Sequence, residues 1–160
     1  MPNWCENRLT IQGDKAVLDE IEVKHFRDTT DGAELDFNTI IPYPQECKDA
    51  DARESKEMGF ASVFSEEGYN WCCNNWGTKW NAKSTSSLRV DDNELEVTFD
   101  TAWSPPIPVV LAFSTLYPQL VFELQYVEYG CGFGGYSVCK NGQEIEVDHY
   151  DVEMEEEDDE

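Results

Sequence analysis

The segments Ser87-Leu-Arg-Val90, Asp91-Asp-Asn93, Leu95-Glu-Val-Thr-Phe99 and Ser104-Pro-Pro-Ile-Pro108 decide the fold class. Leu95, Val97 and Phe99 alternate with polar residues, so they share one face of a strand. The turn residues Asp91-Asp-Asn93 join that strand to the one before it, which reads as a hairpin. Prolines in a first helical turn cost little, because those N–H groups have no intrahelical partner. Val109, Phe113 and Leu116 then supply the buried stripe of a helix that stops at Tyr117-Pro118. A hairpin that feeds a helix is not a repeated βαβ unit and points to an α+β fold.

Upstream, Arg8-Leu-Thr-Ile-Gln12 alternates apolar and polar residues and stops at Gly13-Asp14, a first strand followed by a helix start with Asp14 as N-cap. Val17, Leu18, Ile21 and His25 recur at helical offsets until Asp28-Thr-Thr-Asp-Gly32 breaks the pattern. Leu35-Asp-Phe-Asn-Thr-Ile-Ile41 reads as a second strand closed by Pro42-Tyr-Pro44. Downstream, residues 121–129, 136–138 and 145–147 read as strands, with the glycine-rich stretch 130–135 as a bulged hairpin rather than a phosphate loop. The order predicts a ferredoxin-like sandwich, an antiparallel sheet with two packed helices. It forms one domain over 1–150, with an insertion at about 45–86 and a disordered acidic tail over 151–160.

The insertion carries a polar, helical piece at about 50–58 and then Tyr69-Asn-Trp-Cys-Cys-Asn-Asn-Trp-Gly-Thr-Lys-Trp-Asn-Ala82, three of the five tryptophans in a stretch without evident periodicity. Two readings follow. Trp4, Trp76, Trp80 and Trp103 can form a satellite core, with Asn75, Thr78 and Asn81 satisfying loop backbone groups. Alternatively Trp71, Asn75, Trp76, Lys79, Trp80, Asn81 and Trp103 surround a pocket for a planar or nucleotide-like ligand.

The net charge of −23 is the second strong signal. Nine carboxylates and no Lys or Arg lie from Asp148 to Glu160, so −14 remains on the rest of the chain. That charge disfavours contact with phosphate, excluding direct nucleic-acid binding, and favours docking onto a basic surface. Candidate acidic positions are Glu66, Glu67, Asp91, Asp92 and Glu94. No apolar run is long enough to span a bilayer, and the N-terminus lacks a signal-peptide pattern, so a cytoplasmic protein with six reduced cysteines is expected. Cys72 and Cys73 read as ordinary thiols in extended backbone. With no C-x-x-C pair and only His25 and His149, no metal, cofactor or catalytic residue is assigned.

The motifs Pro2-Asn-Trp-Cys-Glu-Asn-Arg-Leu-Thr-Ile-Gln-Gly13, Asn75-Trp-Gly-Thr-Lys-Trp-Asn-Ala82, Phe99-Asp-Thr-Ala-Trp-Ser-Pro-Pro106 and Tyr126-Val-Glu-Tyr-Gly130 resemble the YubB-like family of small plasmid and phage proteins. The resemblance implies a ferredoxin-like domain and a mobile-element origin, and no mechanism. The expected function is a non-enzymatic phage or plasmid interaction protein, an anti-defence or host-modulating factor that occupies a basic site on a host protein such as a nucleic-acid-binding one. A ligand-binding module built on the Trp/Asn segment and an enzyme of unknown class are the alternatives.

Overall fold

Strand β1 (Trp4–Gln12) is paired antiparallel on both sides, with β5 (Glu94–Ala102) on one flank and β6 (Val121–Glu128) on the other. Cys5, Asn7, Leu9 and Ile11 are buried, whereas Glu6, Arg8 and Gln12 are exposed. The period of two therefore sends one set of side chains into the core and the other to the opposite face. The computed structural model describes residues 3–30, 32–60 and 63–153.

Helix α1 (Lys15–Lys24) follows β1 and buries Leu18 and Ile21. Asp14 occupies the N-cap position with extended backbone, but its carboxylate makes no cap hydrogen bond. Strands β4 (Lys83–Asp91) and β5 form the expected hairpin, and α4 (Ile107–Leu116) leads to β6. The core β1-α1-β4-β5-α4-β6, with strands side by side as β4-β5-β1-β6, is the ferredoxin-like arrangement. Strands β7 (Phe133–Lys140) and β8 (Gln143–Asp151) extend the sheet as a meander to six strands. Gly134 and Gly135 lie within β7, where a Cβ would strike Tyr150 and Tyr126.

Between α1 and β4 the chain differs from the sequence reading. Phe26–Thr29 and Gly32–Leu35 form a separate two-stranded sheet, β2 and β3. The expected strand over 35–41 is instead a 3-10 turn at Phe37–Thr39, because Asp36 accepts a hydrogen bond from the Asn38 backbone and so bends the chain there. That bend puts Phe37 in the core against Phe99 and Trp76. Helix α2 (Gln45–Met58) is longer than expected. The segment that lacked clear periodicity is half helix, α3 (Glu66–Asn75), started by Ser65 Oγ accepting from Gly68 N. Cys72 and Cys73 are therefore on a helix and not in extended backbone; all six cysteines are free thiols.

Two further differences concern burial and the C-terminus. Val109 and Phe113 of α4 are buried, but Leu116 is 51% exposed, and Tyr117 and Leu120 fill the core beyond the helix end. Asp151, which the sequence reading placed in the tail, closes β8, and Val152 N donates to Gly132 O. Val152 and Glu153 are also described, and residues 154–160 of the expected disordered tail lie outside the described residues. Among the described residues no helix is long and apolar enough to cross a membrane.

Trp76 ties the insertion to the sheet. It is 4% exposed, donates its indole N–H to Ile41 O at 2.9 Å and meets Phe37 and Trp71 edge-on. Trp76→Ala should cost about 3–5 kcal/mol in chemical denaturation; a loss below about 1 kcal/mol would show that the indole is not the anchor. His25, at the end of α1, is buried with Nδ1 at 2.8 Å from Thr39 Oγ1 and Nε2 at 2.8 Å from Tyr117 Oη. Burial, helped by Lys24, lowers its pKa below 6.5, against the opposing pull of Glu20 and Asp36. The unfolded chain then binds the proton first, so the stability His25 contributes is lost as pH falls below about 6.5 toward the folded pKa. The difference in melting temperature between the wild type and His25→Gln should shrink on going from neutral pH to pH ~5.5. A difference independent of pH would rule out the neutral buried imidazole.

Candidate functional site

Two surfaces are candidates, the first of them built from residues singled out by sequence. The first is a groove of about 390 Å³ in the insertion, walled by Tyr43, Phe64, Trp76 and Trp80, with Lys48 and Lys79 at its polar positions. Lys79 Nζ lies 4.2 Å from the Trp80 ring centre, and Trp80 in turn packs on Trp4. Asn81 borders the groove but is engaged in structure. Its Oδ1 accepts from Phe37 N and Ala82 N, and its Nδ2 donates to Asp36. The two insertion helices are clasped by Asp51, which accepts from Ser65 N, Ser65 Oγ and Tyr43 Oη. Burial, with Asp51 second, raises the Tyr43 pKa, and burial pushes the Cys72 thiol up to about 12, so neither is a nucleophile at neutral pH.

The other expected pocket residues fall outside the groove. Trp71 packs between Tyr43 and Trp76 as part of the insertion's own core, and Asn75 Nδ2 donates to Trp71 O. Trp103 is 46% exposed at a left-handed backbone position, φ 70°, on the chain leaving β5. Trp76 is itself mainly core. The tryptophans thus do both things, Trp71 and Trp76 as structure and Trp80 as groove wall.

The second surface is the face of the six-stranded sheet opposite the helices, which sequence reasoning did not single out. Glu6 on β1, Glu94, Glu96 and Asp100 on β5, Glu123 on β6, and Glu146 and Asp148 on β8 all lie on it by register. Arg8, whose Nε is 3.5 Å from Glu96, and Lys83 are cations on the same face. Carboxylates two residues apart on a strand are about 6.6–6.8 Å apart at the backbone, and those on adjacent strands about 4.7–4.9 Å. Their backbones are fixed by ladder hydrogen bonds. The signal was present in Glu94-Leu-Glu-Val-Thr-Phe-Asp100, since the residues between the core positions are mostly acids.

The expected acidic positions divide between elements. Glu94 belongs to this face and accepts from Gln12 Nε2. Asp91 and Asp92 form the β4–β5 turn, where Asp91 caps Asn93 N and Asp92 O accepts from Arg89. Glu66 and Glu67 are in the first turn of α3, where the helix dipole favours them. Glu6 and Asp100 are directly opposite each other on β1 and β5. Burial first, and Glu6 second, raise the Asp100 pKa. Among the described residues no group of three or more His, Cys, Asp or Glu is placed to hold a metal ion.

A family model described as the ferredoxin-like domain in Api92-like protein matches residues 75–160. The crystal structure of a protein api92 from Yersinia pseudotuberculosis superposes with a TM-score of 0.66 at 12% sequence identity, covering 95% of this chain and 99% of that one. That likeness extends the shared fold over the insertion as well as the sheet. No curated protein sequence matches the chain.

The facing pair Glu6 and Asp100 generates a prediction. Like charges directly opposite in a sheet are destabilising by a few tenths to 1 kcal/mol, roughly. Glu6→Gln should therefore raise the melting temperature slightly and bring the Asp100 pKa down toward 3.8 without restoring it, because burial is the larger cause. Carboxyl NMR titration checks this, and an unchanged Asp100 would mean the two groups do not interact.

Proposed function

We propose, for a chain that belongs to the family of Api92-like proteins with a ferredoxin-like domain, that it is a non-enzymatic interaction protein whose acidic sheet face occupies a basic surface on a partner protein. The observation that carries this reading is the row Glu94, Glu96 and Asp100 on β5, with Glu6 beside it on β1 and Glu123 one strand further on β6, on one side of a hydrogen-bonded sheet. A rigid lattice of carboxylates suits a surface that otherwise holds nucleic-acid phosphate, where one charge falls per about 1.7 Å of duplex axis. The like-charged pair Glu6 and Asp100 faces across β1 and β5; Lys83 is opposite Asp100 on β4, whereas Glu6 has the uncharged Val127 opposite it on β6 and so gains most from an incoming cation. The resemblance to small plasmid and phage proteins supports a mobile-element origin, and with it a role in modulating the host cell or countering its defences in the cytoplasm.

A second reading is supported by the insertion groove, where Lys48 and Lys79 lie among aromatic walls in a strongly acidic protein. That arrangement suits a flat anionic ligand, with the aromatic rings stacking and the ammonium groups countering its charge.

The experiment is capture from host extract on the immobilised full chain at low salt, with and without competing duplex DNA, comparing the wild type with the triple variant E94K/E96K/D100K. Basic, nucleic-acid-binding proteins should be recovered by the wild type, displaced by DNA and lost by the variant, with association slowed steeply by salt. Recovery that is indifferent to the triple reversal would refute the sheet-face reading. Saturable binding of a nucleotide by the wild type, lost in Trp80→Ala, would instead favour the groove.

A further inference from the structure

The two edges of the sheet are built differently. At the β4 edge, register shifts interrupt the pairing between Lys83 and Ser86 and between Arg89 and Asp91, and Ser84 takes a left-handed backbone with φ 53°. The β2–β3 hairpin lies against the same edge, with Ser84 N donating to Glu34 Oε1 and Leu35 N donating to Thr85 Oγ1. Bulges, charged side chains and a covering hairpin are devices that prevent strand addition.

Over its second half the β8 edge has, among the described residues, neither a bulge nor a covering hairpin, and its charged side chains are all acidic, which repels acidic strands and admits basic ones. Its one register shift falls beside Ile145, and from Glu146 to Asp151 the pairing with β7 is unbroken. Val152 N donates to Gly132 O, which fixes the alternation of the ladder. Tyr150, Asp148 and Glu146 are the hydrogen-bonded partners of β7, and the backbone N–H and C=O groups of Val147, His149 and Asp151 point outward. The outward His149 N–H is within 3.0 Å of the Asp148 carboxylate. Val147, 45% exposed, is on the helix side of this edge, while Glu146, Asp148 and Tyr150 are on the open side.

Charge selects the occupant. β8 carries Glu144, Glu146, Asp148 and Asp151 and no Lys or Arg. Pairing with a second copy would bring eight carboxylates together, and the chain's own C-terminal residues 155–160 are all acidic, so both are repelled. We propose that β8 receives an extended basic segment of a partner protein as a seventh strand, with Lys or Arg alternating with apolar residues. The basic residues face Glu146, Asp148 and the Tyr150 ring, and the apolar ones face Val147. This rests on the reading of the open face as an acidic docking surface and adds how the partner backbone is held.

The geometry dictates a test. In an antiparallel seventh strand, the residues opposite Val147, His149 and Asp151 direct their N–H groups toward β8, and these are the apolar ones. The probes are a seven-residue peptide of alternating lysine and valine, the same peptide N-methylated at its valines, and the same peptide N-methylated at its lysines. Each is titrated into the full chain at low salt by calorimetry, with amide exchange followed at Val147 and Asp151. Valine methylation should weaken binding about tenfold or more, lysine methylation by less than about threefold, and the parent peptide should protect both amides. Equal binding of the two methylated peptides would overturn strand addition while leaving the acidic docking surface standing. Binding lost in E94K/E96K/D100K but kept in E146K/D148K would likewise overturn it, by moving the contact to the sheet centre. No binding of any of the peptides would overturn both readings.

Discussion

The rest of the molecule depends on the register of β1 between its two neighbours. Leu9 is opposite Val97 on one side and Leu124 on the other, and Ile11 is opposite Leu95 and Phe122, so a continuous apolar layer three strands wide lies under the helices. A slip of one residue would turn that layer to water and bring Glu6, Arg8 and Gln12 into the core. Burial on one face therefore fixes which residues the other presents. The same alternation that builds the core places Glu6, Glu94, Glu96 and Asp100 together on the open face.

The insertion is held by a different kind of interaction. Its apolar content is concentrated in Phe37, Trp71 and Trp76, while its backbone is fixed by buried or half-buried polar groups that each serve several partners. Asn81 joins the chain at Phe37 to the chain at Ala82, and Arg27 donates to Leu35 O, Ala82 O and Glu34. Asp51 holds both insertion helices through Ser65 and Tyr43. Groups of this kind specify one arrangement, because breaking any bond leaves a desolvated donor or acceptor. The groove beside Trp80 is accordingly a feature of fixed parts.

The ferredoxin-like core was legible in the sequence because its strands and helices are periodic over several residues, as in Leu95, Val97 and Phe99. The region between α1 and β4 was not. Phe37 reads as a strand residue by alternation, but its placement is decided by Asp36 and Asn81, which are 45 positions apart. Helix α3 has too few apolar positions to show a helical stripe, and its start rests on Ser65. The candidate site was partly legible. Trp80, Lys79 and Glu94 are where the sequence suggested, whereas Trp103 lies apart because the left-handed turn after β5 carries it away from the groove.

Net charge and topology then combine in one way. A chain of −23 gains solubility from charge anywhere on its surface, and a tail alone would serve that purpose. Here carboxylates also occupy backbone positions that a sheet holds rigid, including pairs such as Glu6 and Asp100 whose mutual repulsion costs stability. In the proposed complex a cation of the partner relieves that repulsion. The proposed docking on the open sheet and its β8 edge draws on that repulsion, whereas solubility alone needs charge anywhere on the surface.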